Sequence, residues 1–495
     1  MKRRIHYFLF VIMLVLFVVC YEGVLRHVIF YQEQHHLFLF SFEYLRSTVL
    51  SDGWTGYLGN FLVQFFYYPT LGAVLLSLLI ASLYPMLYKS FYWLTGRVDV
   101  LQLSLVPSLY FFLESMAPDY EPGVLVVTWL VVAVVALVCR IACGRLRDGL
   151  WKKGPLWQLK PVVFWVLSLV CVGVYGFISF SKFVGNYNMG EHRMIMADKA
   201  VKERKWDEVL AQTEQYLQSG RNNQLMTYFR NMALYHKGEL LNHLLDYPQR
   251  FGVKALYFPW NSDSRESEVG HYIYEELGYI NEAYRWEFES MVVWGELAPH
   301  LINLAEYNIL INRPKVAQRF INMLKQSAFY QTKAAELEGY MHDCKVPGMR
   351  LSLSNEVKGK PRFANIVNLG PELYYLCEED KTNNMAFEYL LADLLLSNQV
   401  VRLIDVLKDF PDYAKSLGSY PPILEEALYI YKLGVGEERF RKTGLGISPL
   451  TEERFRKYYA LYQRQDTRAL QQSFGRSYWY YLHFLSPYGT KIITE

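Results

Sequence analysis

Catalytic signatures are what this sequence lacks. It has no phosphate-cradling loop of the Gly-x-x-x-x-Gly-Lys type, no dinucleotide-binding glycine pattern, no Gly-x-Ser-x-Gly elbow, no Cys-x-x-Cys and no His-Glu-x-x-His. The familiar local routes to nucleotide hydrolysis, hydride transfer, esterase chemistry and zinc proteolysis are therefore missing. Cysteine is scarce, six residues in 495, and makes no framework. Cys20, Cys139, Cys143 and Cys171 lie in or beside apolar runs, where a free thiol packs as a small hydrophobe. Only Cys344 and Cys377 lie beyond them, and a disulfide between those two is permitted if that part of the chain is outside the cytoplasm. The 11 histidines are scattered except for His35-His36. Neighbouring histidines on a helix point apart, so even beside Glu33 they make a poor metal set. No metal and no cofactor is expected. Strand-like alternation is rare, and a formal net charge of +3 without a concentrated basic face argues against nucleic acid.

What the first 182 residues do contain is long apolar runs, and the lysines and arginines between them are unevenly placed. Basic stretches occur at Lys2-Arg3-Arg4, from Lys89 to Arg97 and from Arg140 to Lys160. The alternate loops, residues 28–60 and 116–122, carry only Arg46. Cytoplasmic loops collect Lys and Arg. The pattern therefore predicts about five transmembrane helices, at residues 5–27, 66–88, 99–116, 122–142 and 161–182. The N-terminus falls in the cytoplasm and everything after residue 182 on the far side, which in a bacterial inner membrane is the periplasm. The segment 99–116 is short and contains Pro107 and Glu114. The first run lacks a small-residue cleavage site and reads as an uncleaved anchor. Glu22 and Arg26, one turn apart, are placed to pair. Residues 34–50 are aromatic and amphipathic and read as a helix lying along the membrane surface, followed by a turn at Ser51-Asp52-Gly53-Trp54.

From about Asn186 the apolar residues fall to helical spacing. Four segments look like the centres of helical hairpins: Arg204-Lys205-Trp206, Lys237-Gly238-Glu239, Leu277-Gly278-Tyr279-Ile280-Asn281-Glu282-Ala283 and Asn312-Arg313-Pro314. Their turn centres, Lys205, Gly238, Gly278 and Arg313, recur at roughly the tetratricopeptide period of about 34 residues. Leu396–Val401 and Leu424–Leu433 are further candidates. Residues 183–495 thus read as a tetratricopeptide-like α-solenoid and the whole chain as all-α, with an irregular helical array as the alternative. Two insertions, Phe258–Ser267 and residues 345–371, interrupt the array. The aromatic segment Phe474–Phe484 reads as a cap on the last repeat, or else as a docking patch. Solenoids present a surface to proteins. The leading functional expectation is an envelope scaffold with a protein partner on the tail, the lipid bilayer around the spans and no catalysis of its own.

The alternative rests on carboxylates. Glu33, Glu43, Asp52, Asp119 and Glu121 fall in the loops poor in Lys and Arg. Multi-pass glycosyltransferases acting on lipid-linked sugars place a catalytic acid in the first such loop, where it serves as general base or cation ligand. Such enzymes have many more spans, and the spacing here fits no tight motif. Transport is a weaker reading still, because the spans offer few ionisable groups.

Over nearly its full length the chain resembles a family of uncharacterised inner-membrane proteins from Gram-negative gut bacteria. The resemblance is carried by Phe30–Tyr68, by Phe258–Met291 with its Leu-Gly-Tyr-Ile-Asn-Glu-Ala, and by Gly475–Phe484. It implies a multi-pass protein with a tetratricopeptide-like tail, and it carries over no functional residues.

Overall fold

The computed structural model describes residues 5–96, 98–146, 161–259, 264–351, 364 and 368–489. Among these residues every regular element is helical and no strand occurs, in line with the rarity of alternation. The chain divides into two compact units. The first is Met1–His192 with Glu296–Ile302 and Arg319–Glu336. The second is Arg193–Gly295, Asn303–Gln318 and Leu337–Glu495. No local signal in the sequence marks the two stretches beyond residue 295 that join the first unit.

Among the described residues before 187, the first unit has these α-helices: α1 Ile5–Glu22, α2 Arg26–Gln34, α3 Phe42–Ser51, α4 Gly53–Val63, α5 Pro69–Thr95, α6 Val106–Glu114, α7 Pro122–Leu146 and α8 Pro161–Asn186. Its core lies along one face of α5, where Ala73, Leu76, Ser77, Ile80, Ala81 and Tyr84 recur at helical spacing and are all buried. Tyr21, Leu25, Val28 and Ile29 pack in the same cluster, with Phe66 and Leu125. Glycine sets the approach of α4 to α7. A methyl added at Gly123 would sit 1.9 Å from the Thr55 carbonyl oxygen, and one at Gly59 would sit 2.8 Å from the Gly123 nitrogen. The two backbones touch there, and only small residues permit it.

Among the described residues, three helices are long and apolar enough to cross a membrane: Pro69–Thr95, Pro122–Ala142 and Val162–Asn186. A fourth arises only if His6–Glu22 and Arg26–Gln34, bent by 68°, are one broken span. The expectation of five is therefore corrected. The bend falls at Gly23, and Glu22 does pair with Arg26, at 3.9 Å. The expected span 99–116 holds only a short apolar helix, Leu103–Glu114. Its 12 residues reach roughly 18 Å at 1.5 Å each, well short of the roughly 30 Å of hydrocarbon.

Residues 34–50 also differ from expectation. They are not one helix: residues 36–40 have no regular secondary structure, and α3 starts only after Ser41, whose hydroxyl caps it by accepting from the Tyr44 N–H at 3.1 Å. The reason is tertiary. Leu37, Phe38 and Leu39 are buried, and the Phe40 N–H donates to the Gln326 carbonyl at 2.8 Å, in the returning stretch 319–336.

In the second unit, helices meet in a recurrent turn. Arg204, Gly238, Gly278, Asn312, Asn398 and Gln465 all have positive φ. After each, the next N–H reaches back to a carbonyl five residues earlier: Lys205 to Ala200, Glu239 to Leu234, Tyr279 to Tyr274, Arg313 to Asn308, Gln399 to Leu394 and Asp466 to Leu461. This is the Schellman closure of a helix end, and a new helix follows at once. The four turns expected near Lys205, Gly238, Gly278 and Arg313 are present, as is that at Leu396–Val401. The turn at Gln465 carries no repeat signature and was not foreseen. Leu424–Leu433 lies inside one helix, Pro422–Val435. The helix Asn384–Leu396 runs through the centre, with all but its first residue and Glu388 buried. The insertions fall partly outside the described residues, at 260–263 and at 352–363 and 365–367.

The aromatic C-terminal segment is packed inward. The Tyr478 and Tyr481 hydroxyls donate to the Leu395 and Leu396 carbonyls at 3.1 and 2.6 Å, and the buried Glu426 carboxylate accepts from the Tyr478 N–H at 2.7 Å. Cys344 and Cys377 are both free. Burial pushes the Cys377 thiol up to about 12. Maleimide is therefore expected to label Cys344 in the native protein and Cys377 only after denaturation. Equal native labelling of both, read by peptide mass spectrometry, would contradict the packing described.

Candidate functional site: a broken helix and the cleft beside it

Residues 98–105, just before α6, have little regular structure, yet part of the stretch is buried. Asp99, Gln102, Ser104 and Leu105 are all buried, and Gln102 adopts a left-handed conformation with φ of 53°. Side chains satisfy this stretch of backbone. The Asp99 carboxylate accepts from the Ser104 N–H at 2.9 Å and from its hydroxyl at 2.7 Å. The Gln102 amide donates to the Asp99 carbonyl at 2.9 Å, and its oxygen accepts from the Tyr84 hydroxyl at 2.7 Å. From α8, the Ser168 hydroxyl donates to the Val100 carbonyl at 3.2 Å and the Tyr175 hydroxyl to the Leu101 carbonyl at 3.0 Å. Ser168 and Tyr175 lie roughly 10 and 21 Å along α8 from its start. The non-helical backbone thus runs beside the middle of a helix long enough to span. Buried irregular backbone of this kind is tolerated where protein side chains replace water as its hydrogen-bond partners. The polar residues that do this, Ser168, Tyr175, Tyr84 and Gln102, are single residues in apolar surroundings, which is why sequence reasoning passed over them.

Beside the broken stretch lies a cleft of about 750 Å³ between α6 and α8. Val106, Leu109, Leu113 and Ile178 form its apolar wall, while Tyr110, Glu114, Lys182 and Glu191 supply polar groups. Its size falls in the range of small-molecule sites. His27 also lines it, with its Nδ1 3.0 Å from the Nδ1 of His192. An apolar wall with both signs of charge suits an amphiphile with a polar head.

The five loop acids are dispersed. Glu33, on α2, accepts a hydrogen bond from the Tyr330 hydroxyl and one from the Gln34 amide at 2.5 Å. Burial, reinforced by Glu33, raises the Tyr330 hydroxyl far above the usual tyrosine range, so it remains a donor. Tyr67 packs edge-on against Tyr330, their centroids 5.1 Å apart. Glu33 therefore holds the returning stretch 319–336 to the unit. Glu43 opens α3, and its charge, added to burial, raises the Glu296 carboxyl. Asp52 sits at the joint between α3 and α4. Asp119 and Glu121 flank Tyr120, whose carbonyl accepts from the Gln32 amide at 2.9 Å. Among the described residues, no group of three or more His, Cys, Asp or Glu is placed to hold a metal ion. His35 and His36 are turned to their own helix, each ring nitrogen meeting the carbonyl four residues back, at 2.8 and 2.9 Å.

The second unit has a buried polar cluster of its own. His271 sits with its Nδ1 2.8 Å from the Tyr307 hydroxyl and its Nε2 3.2 Å from Glu287. The Tyr307 hydroxyl also meets Glu275 at 2.9 Å. Burial alone lowers a histidine, but the Glu287 and Glu275 carboxylates outweigh it and raise His271. The cluster is fully enclosed, which suits it to fixing the packing of its helices rather than to meeting a substrate.

These features define a helical protein with long apolar helices in one unit and helical hairpins in the other. The chain belongs to a family of unknown function, DUF6057, whose model matches residues 1–186 and 122–485. No curated protein and no solved structure matches it.

Proposed function

We propose that the protein is an integral scaffold of a bacterial inner membrane that binds its partners without catalysis of its own. The observation that carries this reading is the bare apolar surface of two helices. Only 17% of the hydrophobic window of Pro122–Ala142 and 11% of that of Val162–Asn186 is buried within the protein. Side chains such as Val131, Leu169 and Phe177 are more than half exposed. Water disfavours a surface of that extent, whereas lipid accepts it.

The distribution of lysine and arginine then gives the orientation. The stretch Arg140–Lys160 stays in the cytoplasm, α8 crosses once, and the chain beyond it lies in the periplasm. The same rule puts the ends of α5 and α7 on the cytoplasmic side. The hairpins of the second unit act as a tetratricopeptide-like surface for an envelope protein, and the cleft beside α6 takes a membrane amphiphile.

Reporter fusions at residue 150 and at the C-terminus test this directly. The expected result is a cytoplasmic signal from the first and a periplasmic signal from the second, with the protein retained in membranes after alkaline carbonate. A cytoplasmic C-terminal signal, or release by carbonate, overturns the reading. Single amide replacements of Glu33, Glu43, Asp52, Asp119 and Glu121 separate scaffold from enzyme. A scaffold tolerates the changes at Glu43, Asp52, Asp119 and Glu121, and a loss at Glu33 alone reflects its clasp on Tyr330; abrupt loss of a cellular phenotype at any of the other four, at normal protein level, marks catalysis.

A further inference from the structure

The second unit contains a pocket of about 290 Å³ with an orphaned carboxylate in it. Asp393 lies on the central helix Asn384–Leu396, only 3% exposed. Among the described residues its Oδ1 has no hydrogen-bond partner, and no basic side chain forms a salt bridge with it. Buried carboxylates are normally paired, because an unpaired one loses its hydration without compensation.

The surroundings explain how the group is kept bare. Gly370 opens the helix Gly370–Glu379, and a methyl there would stand 2.7 Å from Oδ2 of Asp393. Any side chain at 370 would cover the carboxylate. Pro371, Leu390, Leu394 and Val406 supply apolar wall, Asn368, Tyr374 and Gln399 add neutral polar groups, and the exposed Arg402 and Asp405 complete the lining. A buried acid in a mostly apolar pocket, with its other charged groups exposed, has the chemistry of a receptor for one positive charge on a hydrocarbon stem. A metal ion is a poor occupant, since among the described residues no three His, Cys, Asp or Glu side chains are grouped to hold one. Burial pushes Asp393 up to about 7, so the group accepts a cation near neutral pH at little cost in deprotonation.

From the orphaned carboxylate, the glycine that exposes it and the apolar walls, we propose that this pocket binds a primary ammonium group carried on an aliphatic stem. A lysine side chain of a partner protein and a free alkylamine share that chemistry. The pocket lies wholly within the second unit, so the proposal goes beyond the membrane reading and stands or falls separately from it.

The test uses the full-length protein in detergent and three soluble probes, read by ligand-observed saturation-transfer NMR and titration. The probes are Nα-acetyl-lysine N-methylamide, its norleucine isostere and n-butylamine. The lysine derivative is expected to bind at least about tenfold more tightly than the norleucine isostere, the loss anticipated when a charge-assisted hydrogen bond is removed. Asp393→Asn is expected to abolish that difference. Gly370→Ala, which leaves the acid in place but crowds it, is expected to weaken binding as well. If n-butylamine matches the lysine derivative, the occupant is a small amine. If the lysine derivative is clearly tighter, the occupant is a protein side chain that also uses the rim. Equal binding of lysine and norleucine probes, or lysine binding unchanged in Asp393→Asn, overturns the proposal. Unfolding midpoints recorded alongside show whether each variant is folded.

Discussion

Raising the pH from 5 to 8 is expected to lower the stability of the second unit by several kcal/mol. Four carboxyls there, Glu282, Glu388, Asp393 and Glu426, are pushed up to about 7, in each case chiefly by burial. The unfolded chain releases these protons near the ordinary carboxylate pKa, around 4, whereas the folded chain keeps them to about 7. Between those values the native state holds more protons, so stability falls as pH rises and levels off above the folded pKa. Asp393 is the cleanest case, since no opposing charge or hydrogen bond acts on it. A displacement from 3.8 to about 7 corresponds to roughly 4 kcal/mol at about 1.4 kcal/mol per pH unit. Asp393→Asn should therefore stabilise the protein by on the order of 2–4 kcal/mol at pH 8, and very little at pH 4. Denaturant unfolding followed by tryptophan fluorescence across this range measures the effect. A wild-type stability that climbs from pH 5 to 8, or an Asn variant less stable at pH 8, would contradict the burial described.

The second large effect belongs to the first unit. Gly123→Ala is expected to destabilise it by about 1–3 kcal/mol or more, the range for overpacking a close contact. The added carbon has nowhere to go, since the atom it meets is the Thr55 carbonyl of the facing backbone at 1.9 Å. Gly173→Ala is the matched control. That glycine lies in α8 with nothing within 4 Å of an added methyl, so the variant should be neutral or slightly stabilised. The comparison is made by thermal unfolding in detergent and by the folded yield from membranes. Equal behaviour of the two variants would rule out backbone contact between α4 and α7.

Both predictions concern features that the sequence does not display. Asp393 looks like one acid on an apolar helix, and nothing local separates it from the many that face water. Its environment is set by Gly370 and Val406, which are distant in the chain. Gly123 follows a proline at the start of an apolar run and reads as ordinary helix punctuation. Its close contact exists only because α4 returns across it. The same holds for Gln102, which reads as a polar residue within a short apolar segment until Tyr84 and Ser168 are brought to it. Glu33, singled out on chemical grounds, turns out to clasp Tyr330, nearly three hundred residues along the chain. By contrast the Glu22–Arg26 pair and the helical hairpins at Gly238 and Gly278 were legible, because their partners lie within one or two turns.

The amino-acid sequence by itself determined the helical class, the presence of long apolar helices though not their number, and most of the tight turns between hairpins. Each depends on hydropathy, periodicity or left-handed backbone within a window of a few residues. Only the tertiary structure decided that residues 98–105 break their helix, that residues 319–336 return to the first unit and that Asp393 is left without a partner. Those outcomes depend on which distant side chain satisfies, or fails to satisfy, a buried polar group, and that depends on a meeting of segments that no local pattern encodes.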